Sequence, residues 1–307
     1  MGFAVTAQQV GLMAVFIVLG LFGARKKWIG DQAVTGLTNI LIYFVTPGVI
    51  LQAFNRPFSM SRLHELGIVA LVVFLAFPAM TGLAYLIYLK VPDLGIRRDL
   101  RFSLIYSNAG FLGIPLSQAL LGTDGVFFAV VFMVPFNIFV WTQGWSMYDS
   151  RQSGPIKRLF SNPAIPSVIV GIALFLAPVS LPSIVVTGLN DLAGLNAPLA
   201  MFVVGATLSK VRWRTFASDP WIWLGTALRN LFIPALGILA LWFVPLSTEA
   251  KLGVLIPLSC PVAAFLVMFA VTHKVDSDFS ARLVSLSTLV SILSLPATVS
   301  VASSLWS

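Results

Sequence analysis

The chain has 307 residues, 58% hydrophobic and only 10% charged, with a mean hydropathy of +0.95. A soluble domain carries about a quarter of its residues as charges, so the composition excludes a soluble protein and leaves no room for a separate soluble domain. The single cysteine, Cys260, excludes an internal disulfide and shows no metal-ligand spacing, and the net charge of +8 needs no nucleic-acid partner once its placement along the chain is seen.

Ten apolar runs, each near the ~20 residues a bilayer requires, predict an all-α polytopic membrane protein. They fall at 8–24, 33–54, 64–89, 100–121, 124–148, 161–178, 190–209, 220–244, 249–272 and 279–303. The first run has no basic residue before it and is followed by Arg25-Lys26-Lys27, which argues against a cleaved signal peptide. Alternate connections are basic: Arg25-Lys26-Lys27; Lys90 with Arg97-Arg98 and Arg101; Arg151 with Lys157-Arg158; Lys210 with Arg212 and Arg214; and Lys274. That set holds fourteen of the nineteen basic residues, and the opposite set only Arg56, Arg62 and Lys251. Basic loops stay in the cytoplasm, so both termini are expected to be non-cytoplasmic.

Span 2 carries Asn39 and Pro47, and span 3 carries Pro78 with His64 and Glu65 at its start. Span 4 contains Ser107-Asn108-Ala109-Gly110-Phe111-Leu112-Gly113-Ile114-Pro115-Leu116. Pro115 lacks an N–H and clashes with the carbonyl four residues back, so a break is expected near Phe111. The polar connection 149–158 then leaves five spans on each side. Five is odd, so the halves enter the membrane in opposite senses and, if alike, form an inverted repeat of residues 1–150 and 151–307. Internal similarity supports this: Asn39 and Pro47 answer Asn190 and Pro198, Pro78 answers Pro234, and Pro115 answers Pro261, at offsets of 151, 151, 156 and 146 residues.

Paired broken helices in two inverted halves point to a transporter binding site. Each second half begins with unsatisfied N–H groups at a positive dipole end, which attracts an anion. No acidic residue lies near either break, so the expected ligand is a small carboxylate. The candidate substrate-binding residues are Ser107, Asn108, Gly110 and Pro115 on span 4, and Ser259, Cys260 and Pro261 on span 9. Arg229 in span 8 is the eighth. It lies roughly 13 Å from its span's start at 1.5 Å per residue and either contacts the substrate anion, serves as a gate charge, snorkels towards the cytoplasmic face, or pairs with Asp219 or Asp99. Every acid falls in a loop or at a span end, with Glu65 and His64 opening span 3. Span 10 carries Ser287, Ser291 and Ser294 on one face, a pattern expected for helix–helix contact.

The span-4 run, with Asn39 to Pro47, Pro198-Leu199-Ala200, Phe202-Val203-Val204-Gly205-Ala206, Leu286-Ser287-Thr288-Leu289 and Leu295-Pro296, resembles the auxin efflux carrier family, including bacterial malonate- and malate-permease-like members. That resemblance implies two inverted five-helix repeats, like the bile-acid sodium symporter fold. It implies a scaffold of spans 1, 2, 6 and 7, homodimer contacts through spans 2 and 7, and a transport domain of spans 3–5 and 8–10. It further implies an elevator-type carrier of organic anions. An intramembrane enzyme would need buried Asp pairs, a Ser–His pair or metal ligands, and the spans show none, so no enzymatic activity, metal or cofactor is expected; the expected setting is a bacterial inner membrane, with the lipid bilayer and the anion as partners. The family's crossover asparagine falls on Asn108 and its prolines on Pro115 and Pro261. The short 149–158 connection and the lack of an acid within span 3 depart from the plant members. A sodium-coupled symporter and a non-transporting membrane sensor stand as alternatives.

Overall fold

A computed structural model describes residues 3–149, 163–177, 181–209 and 219–306. The connection beyond Asp149 and the basic residues Lys210, Arg212 and Arg214 lie outside them. Eleven helices and no strand are found among the described residues. They are α1 (Phe3–Arg25), α2 (Asp31–Phe54), α3 (Met60–Ile87), α4 (Leu94–Ile105), α5 (Ala109–Gly144), α6 (Ala164–Leu176), α7 (Ser183–Leu208), α8 (Pro220–Trp242), α9 (Thr248–Ser259), α10 (Phe265–Thr272) and α11 (Asp278–Trp306). Six of them, α2, α3, α5, α7, α8 and α11, are long and apolar enough to cross a membrane, and Gly11–Arg25 and α6 are shorter apolar helices. Within α5 the chain bends at Gly122 (φ 62°, ψ −152°), a left-handed backbone that glycine adopts without strain.

Prolines shape these helices through π turns. Such turns occupy Leu41–Val45, Ala109–Gly113 and Leu228–Phe232, and Pro47, Pro115 and Pro234 follow each of them by two residues. In each, the residue before the proline donates five residues back: Thr46 to Leu41, Ile114 to Ala109, Ile233 to Leu228. A proline ring clashes with the carbonyl four residues upstream, and the wider turn moves that carbonyl aside. The break expected near Phe111 is therefore displaced. Pro115 is accommodated by its π turn, and the helix is interrupted earlier, between Ile105 and Ala109. The expected counterparts Pro78 and Pro198 sit inside α3 and α7 without such a turn.

The frame is tightest where α1 lies along α7. A Cβ added at Gly20 would stand 2.3 Å from the Phe202 carbonyl oxygen, and one at Gly205 would stand 2.0 Å from that of Ile17. Two backbones in such contact need small residues, the usual basis of helix association in lipid. α2 packs on α6 and α7, and α9 packs on α5. An aromatic cluster of Phe77, Phe102, Tyr106, Phe136 and Phe139 fills the space between α3, the end of α4 and α5. Apolar side chains on the outer surfaces, such as Tyr43, Phe44, Leu71, Ile184 and Leu293, are exposed, as lipid-facing helices require.

Candidate functional site

The two interruptions meet. Residues 106–108, between α4 and α5, run antiparallel to residues 261–263, between α9 and α10, as an isolated bridge between Ser107 and Val262. Asn108 N–H donates to the Pro261 carbonyl at 2.7 Å, and Ala263 N–H donates to the Tyr106 carbonyl at 3.0 Å. Unpaired backbone groups at membrane depth cost several kcal/mol each, and here the two breaks satisfy each other. The Tyr106 hydroxyl extends the anchorage, donating to the Phe139 carbonyl at 2.9 Å and contacting Gln143 in α5. Gly113 lets the broken segments touch: an added Cβ would lie 2.9 Å from Pro257 Cα and 3.4 Å from Cys260 Sγ.

The π turn before Pro234 serves the crossing with consecutive residues. Arg229 is fully buried. Its Nε donates to the Cys260 carbonyl at 3.0 Å, its Nη1 to the Leu104 carbonyl at 2.9 Å, and its Nη2 to the Leu258 carbonyl. Asn230 donates to the Ser287 carbonyl at 2.8 Å and accepts from the Ser287 hydroxyl at 2.6 Å. That hydroxyl in turn accepts from the Val262 N–H at 3.0 Å. Ser287 is thus the last link in satisfying the break, beyond the helix contact its spacing suggests. Ser287→Ala would orphan the buried Val262 N–H, at a cost of about 1–3 kcal/mol. The expected result is a lowered unfolding temperature in detergent. Ser291→Ala is the control, because that hydroxyl donates only within its own helix, to Thr288 at 2.6 Å; equal stability of the two variants would refute the link.

A cavity of about 350 Å³ opens beside the crossing. On one side it is bounded by α2 at its π turn, the start of α6 and the middle of α7; on the other by the crossing, α5 and α10. Ser107, Asn108 and Gly110 line it, joined by Thr46, Asn137 and Asn196. The side chains of Ser107 and Asn108 make no hydrogen bond to any described residue, and Nδ2 of Asn196, 3% exposed, has no partner. The first turn of α5 begins at this wall, so N–H groups without intrahelical acceptors and the positive end of a helix face the space. No lining residue is charged at neutral pH.

The remaining sequence-predicted residues are placed elsewhere. Pro115 follows the π turn in α5, the buried Ser259 hydroxyl has no partner among the described residues, the Cys260 thiol donates to the Ile256 carbonyl at 3.3 Å, and Pro261 contributes its carbonyl to the bridge. None of the four, and not Arg229, lines the cavity. Arg229 neither snorkels nor pairs with Asp219 or Asp99; its donors go to backbone carbonyls instead. Asp219 lies 3.8 Å from Arg282, and the buried Asp99 accepts from Arg98, Tyr148 and Ser280. Glu65 accepts from the Ser247 N–H at 2.7 Å and so ties α3 to the turn before α9. Away from the cavity, where α2 ends and α5 bends, Asp124 accepts from both Arg56 and Arg62, and Arg56 Nη2 also donates to the Thr123 carbonyl at 2.9 Å.

Residues 8–155 and 153–299 match the membrane transport protein family, the auxin efflux carrier-like group. The chain belongs to that family. It is 23% identical to an uncharacterised transporter of Methanocaldococcus jannaschii, over 92% of this chain and 94% of that protein. To an uncharacterised transporter of Methanothermobacter thermautotrophicus it is 24% identical, over 95% of this chain and 96% of the other. Both relatives are archaeal, and neither speaks for a bacterial source. Family and apolar helices together make this an integral membrane protein of the transport class, not one of a family of enzymes. For this family member, sequence reasoning missed Asn137, Trp141 and Asn196 in the cavity wall. The signal for Asn196 is plain in retrospect: an amide two residues before Pro198 in an otherwise apolar stretch.

Proposed function

We propose that the protein carries small organic carboxylates across the membrane by elevator-type alternating access, with the substrate held at the crossing. The observation that carries this reading is the cavity of about 350 Å³, in which the Ser107 and Asn108 side chains and Asn196 Nδ2 present polar groups with no hydrogen-bond partner among the described residues, beside the start of α5. The volume lies at the lower end of the range for small-molecule sites. A helix start favours an anion, and the absence of an acidic side chain in the wall removes the group that would oppose one.

Three features support the larger scheme. The family match falls in two stretches that meet at residues 153–155, in keeping with two five-helix halves of opposite orientation. The cavity lies between α2, α6 and α7 on one side and the crossing, α5 and α10 on the other, the division expected between a fixed scaffold and a moving transport domain. The apolar surfaces of α2 and α7, with Tyr43, Phe44 and Ile184 exposed, suit homodimer contact as well as lipid. With the basic loops cytoplasmic, Trp141, Ala164 and Met268 in the cavity wall belong to the cytoplasmic halves of their helices. The Arg56–Asp124–Arg62 cluster joins the scaffold to the transport domain at the outer end. The conformer then faces inward, in the inner membrane of its cell.

The test is uptake by the purified protein in liposomes, with a panel of mono- and dicarboxylates. Saturable flux of at least one of them is expected, with a matching rise in unfolding temperature, since a ligand bound only by the folded state stabilises it by mass action. Tight binding without flux would overturn the carrier and leave a membrane sensor.

A further inference from the structure

The crossing brings together two helix C-terminal ends, and these are electronegative. α4 ends at Ile105 and α9 at Ser259. The last carbonyls of any helix have no intrahelical donor, and the macrodipole adds roughly half a negative charge at that end. Here the two ends converge in the interior, where Leu104 and Cys260 are fully buried and Leu258 nearly so. Three of their carbonyls, those of Leu104, Leu258 and Cys260, point at one spot. Leu104 and Leu258 are each the penultimate residue of their helix, so the two sides contribute in matching fashion. In transporters built from broken helices, unwound carbonyls and half-helix C-terminal ends of this kind coordinate sodium or other small cations.

The spot is occupied by the Arg229 guanidinium. No carboxylate among the described residues pairs with it; its counter-charge is the two helix ends. The planar fork supplies Nε, Nη1 and Nη2 to one carbonyl each, a geometry a guanidinium can hold and an ammonium cannot. Its aim is set by the π turn before Pro234, which also directs Asn230 to the neighbouring break through Ser287. Arg229 does not line the cavity, and its three hydrogen bonds all go to backbone carbonyls of the crossing.

We infer that Arg229 is a tethered cation, filling the place that a dissociable monovalent cation would otherwise take between the two helix ends, so that the crossing is assembled without sodium. The inference rests on the carrier reading only in its corollary, that carboxylate flux does not require a sodium gradient. Its core concerns assembly of the crossing and is read from stability, separately from flux.

The experiment measures unfolding temperature in detergent at constant ionic strength, exchanging sodium for choline, with the wild type, Arg229→Ala and Arg229→Lys. The wild type is expected to show no difference between the two cations. Arg229→Ala should unfold several degrees lower, and millimolar guanidinium, with urea as the control, should restore part of the loss. Arg229→Lys should fall between, keeping the charge but not the three-way fork. A sodium-dependent rise in the wild type would overturn the inference, as would an Arg229→Ala protein as stable as the wild type, or one rescued equally by urea. Should Arg229→Ala fail to fold, the wild-type exchange and Arg229→Lys decide the matter: a lysine protein equal to wild type refutes the fork. Liposomes that move no carboxylate would remove the carrier reading and leave these stability results standing.

Discussion

Gly113→Val should prevent the folded protein from accumulating in membranes. A Cβ at this position meets Pro257 Cα at 2.9 Å, and that contact is backbone, with no flexible side-chain end to yield. Valine adds two further methyl groups where the π turn of α5 crosses the end of α9. Overpacking a filled core costs typically 1–3 kcal/mol, and here parting the segments would also break the bridge at Asn108–Pro261 and Tyr106–Ala263, leaving buried donors and acceptors unpaired. Together these rival the whole stability of a typical domain, about 5–15 kcal/mol. Gly110→Ala is the comparison. Its Cβ would meet only Met133 Cε, at 3.6 Å, an ordinary contact. Membrane abundance and gel-filtration profile are the readouts; a well-folded Gly113→Val protein would show that the crossing is looser than its distances state.

Asn108→Ala should lower carboxylate uptake roughly tenfold to hundredfold at sub-saturating substrate while leaving membrane abundance unchanged. The backbone of Asn108 does the structural work, its N–H bonding Pro261 and its carbonyl receiving Leu112 at 3.0 Å and Gly113 at 3.3 Å. Its side chain makes no hydrogen bond among the described residues, so truncation orphans no described partner. On the proposed reading the lost interaction is a hydrogen bond to a charged group, worth about 1.5–3 kcal/mol, or a tenfold to hundredfold weaker affinity. Full transport by the alanine variant would remove Asn108 from the site.

The interruptions were legible because proline, glycine and asparagine are conspicuous in apolar surroundings, and the sequence named the segments that meet. It missed where span 4 breaks, because a proline's clash can be relieved by a wider turn as well as by a break, and nothing local to Pro115 chooses between them. Arg229 was legible as exceptional but not in its role. A guanidinium that serves carbonyls has no partner residue to betray it, since every residue carries a carbonyl. The same holds for Ser287, whose bond to the Val262 N–H appears only when two segments 25 residues apart are brought together. Asn196 escaped because its value lies in having no partner, a property of the folded cavity rather than of the helix.

The uncharged wall of the cavity has an electrical consequence. If nothing in the wall is charged at neutral pH, an empty and a loaded site differ by the whole charge of the passenger. Arg229 is fixed to the protein, so its charge returns on the empty stroke and cancels over a cycle. On the proposed reading each turnover therefore moves net negative charge across the membrane. A potential of about 100 mV, negative inside, is worth about 2.3 kcal/mol per charge, roughly a fortyfold concentration ratio for a monocarboxylate at equilibrium. With no ion travelling alongside, a polarised membrane by itself drives such a carrier to empty the cell of its substrate.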